Sequence, residues 1–132
     1  LTVTDYAATR FWITLSEAVS FVLSSVEQMQ GGEVFVPRLR AASIAALYAA
    51  MAQQADLDVK DIDVTVIGLR KGEKMHESLL SDTELAYTEQ REDRLVIGTN
   101  LAAYPLHKVP RSDSAEQMPV AEVRRVLVND SL

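Results

Sequence analysis

An apolar run ends at Leu69 and is followed by Arg70, Lys71, Gly72, Glu73 and Lys74, after which the apolar spacing turns helical. Cations around a glycine, where a strand hands over to a helix, suit an anion. In an open α/β sheet, ligands sit beyond the carboxyl ends of the strands, and Arg70 lies at such an end. A helix starting near Glu73 would offer unpaired N–H groups and the positive end of its dipole. Phosphate is the anion this arrangement fits best. Arg70 can grip it through two parallel hydrogen bonds, and Gly72 lets backbone approach or takes a positive φ. Glu73 repels phosphate, so it makes sense facing hydroxyls, which donate to an ionised carboxylate. Phosphate beside a sugar diol describes a nucleotide. The competing reading is a plain charged helix start, with Glu73 complementing the dipole and the cations solvated. Arg10, fixed between a loop and the aromatic pair Phe11 and Trp12, is a second phosphate candidate. Its plainer role is to cover Trp12 with its stem.

Little else offers chemistry. His76 and Glu77 adjoin on the expected helix and face different directions, and His107 is isolated in a long loop. Two histidines in no ligand pattern, and no cysteine, argue against a metal centre. No catalytic residue and no metal ligand are expected from this chain.

The elements that must position these side chains alternate along the sequence. Leu1 to Thr4 read as a strand and Asp5 to Thr9 as a loop. Thr14 and Glu17 make a capping box. It opens a helix whose inward stripe would be Leu15, Ala18, Val19, Val22, Leu23, Val26 and Met29, stopped by Gly31 and Gly32. Glu33 to Val36 is a strand, and Ser43 caps a second helix with Ile44, Leu47, Tyr48 and Met51 inward. Residues 64–69 are β-branched and nearly all apolar, a strand expected to be buried on both faces. A helix from Glu73 to Leu80 follows, then a short one from the Ser81–Glu84 capping box to Tyr87. Thr88 to Arg94 reads as a solvated turn, Leu95 to Ile97 as a strand and Thr99 to Gln117 as a proline-containing loop. Pro119 starts a last helix with Val123, Val126 and Leu127 inward. Strand and helix in alternation predict an α/β fold with a short, mostly parallel sheet and flanking helices.

The 132 residues suit one domain, and an apolar fraction of 48% supports a real core. A formal charge of −6, from 19 acidic and 13 basic residues, argues against nucleic-acid binding. No apolar run is long enough to span a bilayer, and a cytoplasmic location is expected. Because Leu1 falls inside a strand, a preceding N-terminal part is also expected, with any export signal on it unread.

Two stretches, TRFWITLSEAVSFVLSSVEQMQGGEVFVPRL (residues 9–39) and VTVIGLRKGEKMHESLLSDTE (residues 64–84), together resemble the C-terminal part of bacterial UDP-N-acetylglucosamine 4,6-dehydratases. These are CapD-like polysaccharide-biosynthesis members of the extended short-chain dehydrogenase/reductase superfamily. SDSAEQMPVAEVRRVL (residues 112–127) resembles that family's C-terminal helix region. The resemblance implies a partial Rossmann-like fold, with residues 1–132 as one C-terminal, substrate-binding domain and the N-terminal NAD(P)-binding half absent. It implies a UDP-sugar as ligand, with Arg10 and Arg70 on its diphosphate from two sides and Glu73 on its ribose. Lys71 departs from the family's usual proline. The parent reaction would oxidise the sugar at C4 with bound NAD(P), eliminate water across C5 and C6, and return the hydride.

That chemistry uses a glycine-rich turn and a Tyr-x-x-x-Lys pair. Gly31, Gly32, Gly68, Gly72 and Gly98 make no dinucleotide fingerprint. Tyr104 and Lys108 match the pair's spacing, but Pro105 disfavours the helix it requires. The chain alone is therefore expected to bind no NAD(P) and to turn over no substrate. A sheet lacking half its strands is expected to self-associate through open edges and apolar helix faces. The alternative is a free-standing, non-catalytic binding or oligomerisation module derived from the same fold.

Overall fold

The computed structural model describes residues 1–100 and 102–129. In chain order the elements are β1 (Thr2–Val3), β2 (Thr9–Trp12), α1 (Leu15–Gln28), β3 (Val34–Pro37), β4 (Arg40–Ser43), α2 (Ile44–Gln54), β5 (Thr65–Val66), β6 (Thr88–Gln90), β7 (Arg94–Ile97) and α3 (Val120–Asn129). Short 3-10 turns lie at Val59–Asp61 and Leu85–Tyr87. Length alone suggested one domain. Contacts within the chain cluster into two units, one of residues 1–12, 40–77 and 112 onward, the other of residues 13–39 and 78–111.

In the first unit, β1 and β5 pair in parallel, Thr2 with Thr65 and Val3 with Val66. β2 and β4 pair antiparallel, Arg10 opposite Ala42 and Trp12 opposite Arg40. Residues 116–118 extend β4, with Ala41 N donating to Glu116 O at 2.9 Å and Met118 N to Ala41 O at 2.7 Å. The buried cluster is Ala42, Ala50, Met118 and Val123, walled by Trp12, Leu47, Val120 and Leu127. Its alanines let β4, α2 and α3 approach closely, which fixes the strand that Arg10 rides on. The helix starts follow the sequence: Ser43 Oγ accepts from Ala46 N at 3.1 Å, and Pro119 O accepts the first turn of α3. Val123 and Tyr48 are buried as expected, whereas Met51 is half exposed and α2 buries Ala50 and Ala52 instead.

The second unit pairs α1 with the antiparallel sheet β3–β7–β6. Thr14 and Glu17 form the full capping box at the start of α1. The helix is in register, but its apolar stripe is on the outside: Leu15, Val19, Val22, Leu23, Val26 and Met29 are all exposed, and the helix buries no residue fully. The opposite side carries Phe21, Ser24 and Ser25, which engage Arg94. That guanidinium is 2% exposed and donates to both serine hydroxyls and to Asp93. It also stacks over Phe21 and Phe35, 5.0 and 5.9 Å from the ring centroids.

Four expectations are corrected. The α/β alternation holds, but the pairing is parallel between β1 and β5 while both other sheets are antiparallel. Residues 64–69 pair with β1 alone, so Val66, Ile67 and Leu69 stay exposed rather than buried on two faces. Residues 73–80 form no helix. Their backbone groups are taken by distant segments: Met75 O by Thr9 N of β2, Glu77 O by Ser112 N, and Leu79 N by Pro110 O. These long-range bonds replace the bonds four residues back that a helix needs. Thr88 to Arg94 is a hairpin rather than a solvated turn. Arg91 N closes it on Arg94 O at 2.9 Å, and Thr88 is fully buried.

Candidate functional site

The Arg70–Lys74 stretch is a turn. Glu73 N donates to Arg70 O at 3.0 Å, and Gly72 at the third position has φ +83°. That positive φ is what a type II turn requires there, and Lys71 occupies the second position, where proline is favoured. Without a helix behind it, the turn offers no helix dipole, and the anion site expected there rests on side chains and the turn backbone.

Glu73 turns back over the turn rather than away from it. One oxygen accepts from Arg70 N at 3.1 Å. The other accepts from Thr4 Oγ1 and Arg10 Nη2, each at 3.2 Å. These contacts hold the Glu73 carboxyl below its ordinary range, the Arg70 amide first and then the Thr4 hydroxyl and the charges of Arg10 and Arg70. Partial burial works the other way. Arg10 reaches Glu73 because β2 lies beside the loop, with Thr9 N bonded to Met75 O at 3.0 Å. Its other N–H groups meet Thr9 O at 2.8 Å, Met75 O at 3.2 Å and Glu77 Oε1 at 3.7 Å. Arg10 and Glu73 are therefore brought together, while Arg70 joins them through its backbone and keeps its side chain exposed.

Five further residues belong to this cluster and were not singled out as site residues. Thr4 tethers Glu73, and Glu77 also accepts from Phe11 N at 3.2 Å. Beneath them, the fully buried Ser112 hydroxyl accepts from Glu77 N at 2.8 Å and lies 2.6 Å from Thr9 Oγ1. Thr9 Oγ1 in turn lies 2.8 Å from His76 Nδ1. Partners up to 103 positions apart in the chain left no local signal; the one available hint was His76 and Glu77 adjoining the Arg70 stretch. Tyr104 and Lys108 lie in irregular chain with Tyr104 88% exposed, so their spacing puts them on no common helix face. Among the described residues, no group of three or more His, Asp or Glu is placed to hold a metal ion. Nor is any helix there long and apolar enough to cross a membrane.

Residues 1–99 match the family described as polysaccharide biosynthesis protein. The UDP-N-acetylglucosamine 4,6-dehydratase (inverting) of Campylobacter jejuni is 37% identical over 101 residues, covering 76% of this chain and 28% of the relative. A UDP-glucose 4-epimerase of Rickettsia massiliae is 38% identical over 93 residues, 70% of this chain and 26% of that one. The X-ray structure of Pen from Bacillus thuringiensis superposes with a TM-score of 0.80 at 28% identity, over 99% of this chain and 40% of Pen. The chain thus spans under a third of the length of these two curated relatives. The α/β arrangement is a partial Rossmann-like fold of the short-chain dehydrogenase/reductase type. With three quarters of its length inside the family match, the chain belongs to the CapD-like polysaccharide biosynthesis protein family.

Proposed function

We propose that this chain is the C-terminal, substrate-binding portion of a UDP-N-acetylhexosamine 4,6-dehydratase or epimerase of surface-polysaccharide or glycan biosynthesis. Arg10 and Arg70 take the diphosphate of a UDP-sugar from two sides, and Glu73 takes the ribose hydroxyls. A cytoplasmic location belongs to the same reading. The observation that carries it is the 3.2 Å contact between Arg10 and Glu73, which joins two motifs 63 residues apart in the chain. The exposed Arg70 guanidinium adds a planar fork suited to phosphate.

The family's redox chemistry needs NAD(P), and the residues here do not fit that group. Gly31 and Gly32 follow α1 instead of leading into a helix, and Gly68 and Gly72 precede irregular chain. NAD(P) is therefore assigned to a half outside these 132 residues. The 28% share of the dehydratase relative supports this, as do the apolar faces of α1 and β5 left open to water. The open stripe on α1 also favours a second reading, a free-standing oligomerisation module. Light scattering across a dilution series separates the two: a module self-associates, and added dinucleotide-binding half does not dissociate it.

Titration with uridine and UDP, followed by NMR shifts, tests the site. Arg70→Ala should cost UDP roughly 1.5–3 kcal/mol, the range for hydrogen bonds to charged groups. Arg70→Lys should recover part of it, since an ammonium lacks the two-pronged grip. UDP binding that is unchanged in Arg70→Ala overturns the assignment.

A further inference from the structure

Arg10 has five N–H groups, and the chain itself engages four. Nη1 donates to Thr9 O and Met75 O, Nη2 donates once to Glu73, and Nε faces Glu77. One N–H on Nη2 is left, and a two-pronged grip on phosphate needs parallel N–H groups on two nitrogens. Nη1 is spent on the two carbonyls, so the fork left to a ligand is Nε with Nη2, and its Nη2 half comes free only when Glu73 lets go. The backbone carbonyls cannot leave without opening the pairing of β2 with the loop. Glu77 lies 3.7 Å from Nε, longer than a hydrogen bond, and is held by Phe11 N.

The donors around Glu73 are themselves a set an anion would choose: a guanidinium, the Thr4 hydroxyl and the Arg70 backbone amide. Its carboxylate stands where a phosphate oxygen would be gripped. We propose that Glu73 is a specificity-determining gate, an internal anion that occupies the Arg10 position until a ligand can replace it there and receive it elsewhere. This rests on the nucleotide-sugar reading above. A nucleoside diphosphate does both: its phosphate takes the Arg10 Nε and Nη2 donors, and its ribose hydroxyls donate to the displaced carboxylate. Inorganic pyrophosphate does only the first. It leaves Glu73 as a like charge beside the new anion, so the site discriminates against free phosphates.

Calorimetric titration of the wild-type chain, Glu73→Gln and Glu77→Gln with pyrophosphate, uridine and UDP tests the gate. Glu73→Gln should bind pyrophosphate about fivefold more tightly or better, the scale of one removed like-charge contact in water. The same variant should bind uridine more weakly. Glu77→Gln should gain clearly less for pyrophosphate. Thr4→Val, which removes one tether and leaves the charge, should move pyrophosphate in the same direction by a smaller factor, and it tests the gate even where Glu73→Gln folds poorly. No gain for pyrophosphate in Glu73→Gln and Thr4→Val overturns the gate. So does an equal gain in Glu77→Gln, which would make the effect general charge, or a gain with no loss of uridine. If UDP binding is insensitive to Arg70→Ala, or no ligand binds at all, the nucleotide-sugar reading falls and the gate with it. UDP binding that needs Arg70 but shows no pyrophosphate gain in Glu73→Gln removes the gate alone.

Discussion

Arg94 in the second unit is 2% exposed, whereas the side chain of Arg10 in the first is 24% exposed. Arg94 spends its guanidinium on groups that cannot leave: two serine hydroxyls on α1, the neighbouring Asp93 and two phenyl faces. Arg10 is met by two backbone carbonyls and by two carboxylates on half-exposed side chains. A buried charge must be matched completely, because an unmatched one costs several kcal/mol. One at the solvent edge can stay incompletely matched and change partners. Arg94 therefore reads as scaffold and Arg10 as a residue the proposed site can use, although both are arginines on short antiparallel strands.

The comparison breaks first at Arg94. Arg94→Ala opens a cavity between two rings and leaves two serine hydroxyls unpaired. About 3–5 kcal/mol should be lost from urea unfolding followed by circular dichroism, the range for large-to-small core changes. A loss under about 1 kcal/mol would class Arg94 with ordinary surface charges. Next is Arg10→Ala, which should leave the melt nearly unchanged and weaken UDP by roughly 1.5–3 kcal/mol. If stability falls as far as in Arg94→Ala, Arg10 is scaffold as well. Ser112→Ala should cost about 1–2 kcal/mol, because it unpairs Glu77 N and removes a buried partner of Thr9. Amide exchange at Glu77 should speed up in that variant, and unchanged exchange would mean the hydroxyl is dispensable.

The smallest effect is acid sensitivity at Glu73. Its folded pKa is lowered, so its stabilising contribution is present above the unfolded value of about 4.3 and is lost as pH falls through the folded one. Asp93, Glu84 and Glu33 are lowered too and share the acid limb. The difference between wild type and Glu73→Gln in thermal melts below about pH 5 isolates Glu73. Wild type should lose more on acidification than the variant. Parallel curves would mean that Glu73 titrates alike in both states.

Local patterns carried well. The Thr14–Glu17 box, the Ser43 cap and the Pro119 start each needed only neighbours, and each marks a helix. What failed depended on distant partners. Residues 73–80 have helical spacing, but β2 and the segments holding Pro110 and Ser112 take their backbone groups. The stripe of α1 had the right period and the wrong face, because a buried arginine is a stronger claim on the serine side than spacing can reveal. At the site, Arg10, Arg70 and Glu73 stood out by residue type. Thr4, Thr9 and Ser112 did not, since a hydroxyl has no signature until its partner, 67 to 103 residues away, is in place.

The turn at Gly72 has one more consequence. Arg70, Lys71 and Lys74 all stand exposed around it, and trypsin cleaves after arginine and lysine in accessible turns. Bonds open to the protease thus lie within the turn that the proposed function sets against a ligand. A digest time course therefore becomes an occupancy meter: the fragment boundary at Arg70 or Lys71 should appear early in the empty chain and late in the filled one, with no label and no engineered probe.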